Sequence, residues 1–450
     1  MRRVKWLVLF MVVLLSVVPC FSDVVVSGDT SVSVTILPVT DYSSDRFDSL
    51  LNPNNMMELH DVSFSPRFVG KISASGGSPV DAGIGEYGFD FWFLVEPIGI
   101  PGLLMAITAG DTSMSSSVSE VLKYSDYEFY GLKLLRADIN WSVGDLFNIT
   151  IGRQPIFVGY GYGWSPMNFV GSLKTPFDFG RIERGIDALT LEYNAGNILT
   201  ADISALYRPY DYATGIDYGA IEGFAKLVFS LPYVEFSFDG LYVYDSDSSA
   251  TTTGTRGATQ IPAVGGGFML DLSGIGVYGE VALFERSRRE YPDGSGNLEV
   301  KSGVQLDGLL GLEYTFPWDM NAIIEYYYNG EGYNLEERVA YKNLLLMYSN
   351  TYLPADIASL MRPGCFSKHY LLLYLMQPLY DVNGEVSLSL LFSPDSLGLG
   401  VIPGVSYNLS GSVSADLVYM GFFSLDKSRY SEAYFLPVKN VIRLGIKYSF

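Results

Sequence analysis

The sequence predicts an all-β fold, a closed antiparallel β-barrel of about 18 strands with an apolar outside and a polar inside, and three observations carry that expectation. Of 450 residues, 48% are apolar and 14% aromatic, with 33 Tyr, 27 Phe and 47 Gly, while only 17% are charged. A disordered chain would be far more polar. Beyond the N-terminus no run of about 20 apolar residues occurs, so a helical membrane bundle is excluded although the mean hydropathy is +0.20. Apolar and polar residues instead alternate with period two, as in strands that present one face to an apolar medium.

The chain opens with Arg2, Arg3 and Lys5, an apolar stretch from Trp6 to Val18, and small residues around a cleavage point after Ser22. This order reads as a secretory signal peptide over residues 1–22, leaving 23–450 as one barrel domain. The apolar core is short for a retained anchor, and Pro19 is unsuited to the position before an acylated Cys20. Removal of Cys20 leaves Cys365 as the only thiol, so no intramolecular disulfide framework is expected. Loss of the three basic residues takes the formal charge from −20 to −23. That balance disfavours nucleic acid as a partner.

Taken in order, residues 23–36 supply the first strand. Val62, Phe64 and Phe68 then alternate with Ser63, Ser65, Arg67 and Lys71, and Tyr87, Phe89, Phe91 and Phe93 with Gly88, Asp90 and Trp92. Val234, Phe236, Phe238 and Tyr242 oppose Glu235, Ser237 and Asp239; Leu310, Leu312 and Tyr314 oppose Gly311, Glu313 and Thr315. Val386 to Phe392, Val413 to Tyr419 and Ile442 to Phe450 repeat the rule. Tight links such as Val143-Gly144-Asp145, Asn194-Ala195-Gly196, Ser273-Gly274 and Asp381-Val382-Asn383 alternate with long links at 154–184, 208–217, 246–258, 286–298, 330–363 and 425–437. Residues Leu103 to Thr108 are assigned to a loop. Spread over 18 strands, 428 residues allow about 24 per strand and connection, and 16 strands fit the same arithmetic.

The last strand, with Leu444, Ile446, Tyr448 and the terminal Phe450 on one face, resembles the C-terminal signature of bacterial outer-membrane barrels. The resemblance implies recognition by the barrel-assembly machinery, a location in the outer membrane of a diderm bacterium, contact with its lipid, short turns on the periplasmic side and long loops outside. If the apolar face meets lipid, the opposite face lines a lumen with Asp90, Glu235, Asp239, Glu280, Asp307 and Glu313 against Arg443 and Lys447. Glu192, Asp202, Glu325, Glu385 and Asp416 share that parity. A barrel of 16 to 18 strands is wide enough for an aqueous pore, and an excess of inward acids favours cations or neutral solutes.

The link from Gln154 to Arg184 is too long and too aromatic for a simple turn. It nominates Arg153, Tyr160, Tyr162, Trp164, Asn168, Lys174, Asp178, Arg181 and Arg184 as residues lining or bracing a constriction, where aromatics beside charges contact a small solute such as a saccharide. The segment Gly152 to Phe169 followed by Arg184-Gly185-Ile186-Asp187 resembles alginate-export-like and related porin-like barrels: a strand ending in Gly-Arg-Gln, a Gly-Trp element, Pro166 and Asn168, then Arg-Gly opening the next strand. Here Gly163-Trp164 stands where the pattern has Trp-Gly. The resemblance implies a channel that passes small hydrophilic solutes, with the third long loop folded into the lumen as in general porins.

No enzyme is expected. His60 and His369 are far apart and neither has metal-ligand spacing or a nucleophile partner, so no metal and no cofactor are expected. The run Gly159-Tyr160-Gly161-Tyr162-Gly163 lacks the strand, helix and Lys of a phosphate cradle. Two other classes stand as alternatives: a transporter of hydrophobic substrates like the fatty-acid transporter FadL, with residues 37–57 and their Leu50, Leu51, Met56 and Met57 as an apolar hatch, and a structural or adhesive barrel.

Overall fold

The structure, a computed structural model, describes residues 23–36, 50–51, 62–77, 86–98, 129–144, 146–171, 174–177, 185–207, 221–243, 261–293, 295–348, 353, 357–358 and 360–450. The signal peptide, most of the 37–57 insert, the Leu103 to Thr108 stretch, the expected loops at 208–217 and 246–258, and Asp178, Arg181 and Arg184 lie outside the described residues. Eighteen strands form one sheet. They are β1 (Asp23–Ile36), β2 (Val62–Gly77), β3 (Glu86–Ile98), β4 (Phe129–Val143), β5 (Phe147–Gln154), β6 (Ile186–Ala195), β7 (Leu199–Tyr207), β8 (Ile221–Leu231), β9 (Val234–Val243), β10 (Ala263–Leu272) and β11 (Ile275–Phe284). A small separate hairpin, β12 (Glu290–Pro292) and β13 (Leu298–Val300), follows. The sheet resumes with β14 (Gln305–Thr315), β15 (Asn321–Asn329), β16 (His369–Leu379), β17 (Gly384–Ser393), β18 (Gly398–Asn408), β19 (Val413–Ser424) and β20 (Asn440–Ser449).

Each sheet strand pairs antiparallel with its neighbours in sequence, and β20 returns to β1 with Asp29 opposite Ser449 and Ile36 opposite Ile442. The seam is sealed at its end by Gly28 and Phe450, whose amides donate to each other's carbonyls at 3.0 Å. Closure leaves no open edge, which is what a sheet surrounded by apolar solvent requires.

Parity then sorts the side chains. On β8, Ile221, Leu227, Phe229 and Leu231 are exposed outside while Glu222 and Phe224 are buried inside. Ile203, Phe238 and Leu310 continue the apolar exterior, as do Leu444, Ile446, Tyr448 and Phe450 on β20. The Phe450 ring lies 6.2 Å from Tyr448 and 6.3 Å from Phe68, so an aromatic group covers the seam.

At one end of the barrel the described connections are short: 144–146, 196–198, 232–233, 273–274, 316–320, 380–383 and 409–412. At the other, 155–185, 285–304, 330–368 and 425–439 are long. The turn 394–397, between β17 and β18, departs from this rule and is tight at the long-loop end. It serves as a docking point for helix α1 (Leu335–Met347) of the 330–368 segment. Arg338 of α1, almost wholly buried, donates to the Asp395 carboxylate at 3.0 Å and to its carbonyl at 3.1 Å. A capping box starts the helix, with Asn334 accepting from the Glu337 amide and Glu337 from the Asn334 amide.

Two apolar clusters fill the long-loop half of the interior. One joins Val158, Met167, Phe169 and Val170 of the 155–185 segment to Leu206, Phe224, Leu241 and Phe284 on the wall. The other joins Trp164, Tyr333, Tyr341, Phe366 and Phe435 from three loops to Tyr278, Tyr327, Tyr370 and Phe422 on the wall, and includes Leu51.

The facing pattern makes a direct prediction. A charge at Phe238, in the middle of β9 and exposed outward, should destabilise the barrel by about 2–4 kcal/mol as Phe238→Arg. Ser237→Arg, one residue away but inward, should not carry that lipid cost. Equal losses in urea titrations of lipid-refolded protein would contradict the assignment of faces.

Candidate functional site

Residues 155–185 make the third connection at the long-loop end, and its described residues, 155–171 and 174–177, fold back inside the wall. Its apolar residues settle on inward side chains of β6 to β11, where small residues leave them room. A Cβ at Gly265 would stand 2.8 Å from the Phe169 ring, and one at Gly267 would stand 3.0 Å from the Met167 sulfur and 3.0 Å from the Tyr160 ring. The Gly-Gly-Gly run of β10 is therefore a seat for the segment.

Two wall carboxylates hold its backbone. Glu280 of β11 accepts from the amides of Tyr160 (2.5 Å), Gly161 (2.6 Å) and Met167 (3.1 Å) and from Ser165 Oγ (3.1 Å). Glu325 of β15 accepts from the amides of Tyr162 and Gly163 (2.8 Å) and from Tyr278 Oη (2.7 Å). The run Gly159-Tyr160-Gly161-Tyr162-Gly163 thus offers two successive amide pairs to two carboxylates. Glycine is needed at the centre, since a Cβ on Gly161 would meet the Trp164 carbonyl at 1.9 Å. Both glutamates are at most 1% exposed, and a carboxylate so buried persists only when hydrogen-bonded.

The remaining nominated residues take distinct places. Tyr160 Oη donates to Glu235 at 2.8 Å. Tyr162 is 42% exposed, with its ring 4.6 Å from Tyr374, so it is the aromatic of this run that meets the lumen. Trp164 is buried: its ring stacks 5.0 Å from Tyr327, and its Nε1 donates to the Gly364 carbonyl at 2.7 Å. Lys174 Nζ braces the segment by donating to the Gly161 carbonyl at 2.8 Å. Asn168 accepts from the Gly171 amide at 2.8 Å. Arg153 sits at the root, where it grips Asp187 with two contacts of 2.8 Å across β5 and β6.

The wall charges divide into paired and open groups. Arg136 lies between Asp90 (2.8 Å) and Asp138 (2.5 Å) on β3 and β4. Arg443 faces Asp416 at 3.4 Å, and Asp307 pairs with Arg288 at 2.8 Å. Glu313 accepts from Asn321 at 2.8 Å, and Lys447 is exposed on β20. Across β6 to β9 the register aligns Glu192, Asp202, Lys226 and Asp239 in one row. Lys226 donates to the Phe157 carbonyl at 3.2 Å, and neither Asp239 oxygen has a hydrogen-bond partner among the described residues.

Sequence parity locates Glu280 and Glu325 on the inner face but not their loop partners. It is also blind to the loop network. There Glu432 of helix α2 (Glu432–Phe435) accepts from the Gly364 amide at 3.0 Å and from Tyr370 Oη. Burial raises the Glu432 pKa to about 7 against the opposing effect of these donors. Among the described residues no group of His, Cys, Asp and Glu is arranged to hold a metal ion.

No protein-family model matches the chain, and no curated protein matches it. Among solved structures it is similar to OccD3 (OpdP) of Pseudomonas aeruginosa, with 10% identity over 96% of this chain and 92% of that one and a TM-score of 0.50. Salmonella typhi OmpF in complex with daunomycin aligns at 10% identity over 95% and 97% with a TM-score of 0.44, and a mutant Rhodopseudomonas blastica porin at 10% over 95% and 100% with a TM-score of 0.44. The chain has a porin-like barrel fold.

Two outcomes test these loop attachments. Glu280→Gln and Glu325→Gln each turn an acceptor oxygen into an NH2 facing other N–H groups. Each should weaken the segment's attachment by about 2–4 kcal/mol, read as faster hydrogen exchange at amides 160–163 with the sheet amides unchanged. Glu432 has its folded pKa raised, so its contribution to the contact between the 330–368 and 425–439 segments is complete in acid and is lost as pH rises from about 4.5 to 7. Exchange at amides 364 and 366, taken as the ratio of wild type to Glu432→Gln, should rise across that window and be flat outside it.

Proposed function

We propose that the chain is an outer-membrane channel through which small hydrophilic solutes diffuse past the inward-folded 155–185 segment, with cations favoured over anions. The observation that carries this reading is the segment itself: a loop latched by wall carboxylates narrows the lumen of a wide barrel without sealing it by a separate domain. The apolar exterior supports insertion in lipid after removal of residues 1–22, and the outward Leu444, Ile446, Tyr448 and Phe450 support recognition by the barrel-assembly machinery. The acid-rich row across β6 to β9 supports cation preference, because Lys226 is the single base among Glu192, Asp202 and Asp239. Tyr162, exposed beside Tyr374, offers a ring on which a sugar can stack. The alginate-export-like resemblance rests on the same Gly152 to Phe169 residues and adds no substrate. No catalytic constellation or cofactor enters this reading.

A second reading has one observation in its favour. Leu51, from the 37–57 insert, is buried at 2% exposure in the apolar loop cluster, as a hatch residue of a hydrophobic-substrate transporter would be.

Planar-bilayer recordings separate the two. The channel reading expects steady conductance and a reversal potential of cation sign in a salt gradient, reduced when Asp239 and Asp202 are both changed to Asn. An anion preference would overturn the selectivity, and silence with uptake of fatty acids into liposomes would favour the hatch.

A further inference from the structure

A cavity lies where the 155–185, 285–304 and 330–368 segments meet. It is walled by Phe169 from the first, Arg288 and Arg289 from the second, Glu331 and Arg362 from the third, and Tyr327 on β15. Its three arginines are not equivalent. Arg288 is satisfied between Asp307 (2.8 Å) and Glu331 (2.6 Å). Arg289 donates to the carbonyls of Glu331 (3.3 Å), Cys365 (2.9 Å) and Leu360 (3.2 Å) and lies 4.7 Å from the Tyr333 ring centre. Arg362 has no acceptor at its buried Nε and no carboxylate within ion-pair distance among the described residues. Burial first, and then the charge of Arg289, lowers its pKa to about 10.

Charge and size define what would complete such a site. Three guanidinium groups against Asp307 and Glu331 leave one positive charge, which a monoanion neutralises. The space open to the centre of a water-sized sphere is about 30 Å³. At roughly 10–15 Å³ per water-sized group, that admits two or three such groups, which fits the two oxygens and the methyl of acetate and is too small for a sugar or the four oxygens of a phosphate. A planar carboxylate also matches the fork of a guanidinium with two parallel hydrogen bonds.

We propose that this cavity binds a small carboxylate monoanion on Arg362, and that the bound anion ties the three loop segments together. The site lies in the loop cap, apart from the acid-rich row assigned to conduction, and stands whether or not the barrel conducts. Its ligand is a fastener rather than a solute in transit.

The test uses the folded full-length barrel in detergent micelles with acetate as the probe and chloride at equal ionic strength as the reference. Acetate should raise the thermal midpoint saturably and slow hydrogen exchange at the cavity-lining residues of all three segments, and chloride should do neither. Arg362→Gln should abolish both effects. Arg362→Lys, which keeps the charge but loses the fork, should weaken acetate by about tenfold or more, and it carries the test if the Gln variant does not fold. No saturable effect of acetate, an equal effect of chloride, or an undiminished effect in the folded variants would each overturn the proposal.

Discussion

The ring of backbone hydrogen bonds is the constraint on which the remaining structure rests. A strand facing lipid has no water for its amides and carbonyls, so each sheet strand must be flanked on both sides. The β1–β20 seam meets that demand for the last open pair. Once the ring is closed, inside and outside are fixed for each residue by parity, and a one-residue slip would turn Phe238 inward and Asp239 outward. The same ring creates a second problem. Eighteen strands enclose more space than wall side chains can fill. The protein fills part of it with its own loops.

Loops brought inside carry backbone amides that have left water, and the wall must supply acceptors. Glu280 and Glu325 do so, and the exchange is mutual: each would be costly as a bare buried carboxylate, and the amides of residues 160–163 would be costly without partners. Consequently these two glutamates contribute little open charge to the lumen. In the proposed channel, the acids without such a loop partner lie on the β6 to β9 row. Counting inward carboxylates therefore overstates the field, because some of them are structural.

How much of this is legible in the sequence depends on the range of the interaction. Alternation along a strand is local, so the strands, the count near 18, the outward Leu444 to Phe450 set and the inner position of Glu280 can be read from neighbouring residues alone. The pairing of Glu280 with Tyr160 spans 120 positions, and that of Arg338 with Asp395 spans 57. No period links such residues. Gly159 to Gly163 announces an exposed backbone but not its acceptor, and the tight 394–397 turn looks like any other until Arg338 arrives. The arginines of the 285–304 and 330–368 segments follow no pattern at all. Their significance appears only when three loops converge.

The two sets of loop attachments differ in what they are fastened to, and this orders their stability. The 155–185 segment is held by side chains of β11 and β15, strands fixed within the closed ring. The 425–439 segment, through Glu432, holds Gly364 of the 330–368 segment and Tyr370 at the start of β16, while α1 leans on the 394–397 turn, so only part of this cap is fastened to the ring. Local opening follows the weaker support. The outer cap therefore opens at less cost than the ring and the inner latch, so residues 160–167 keep their place on the wall when the cap moves.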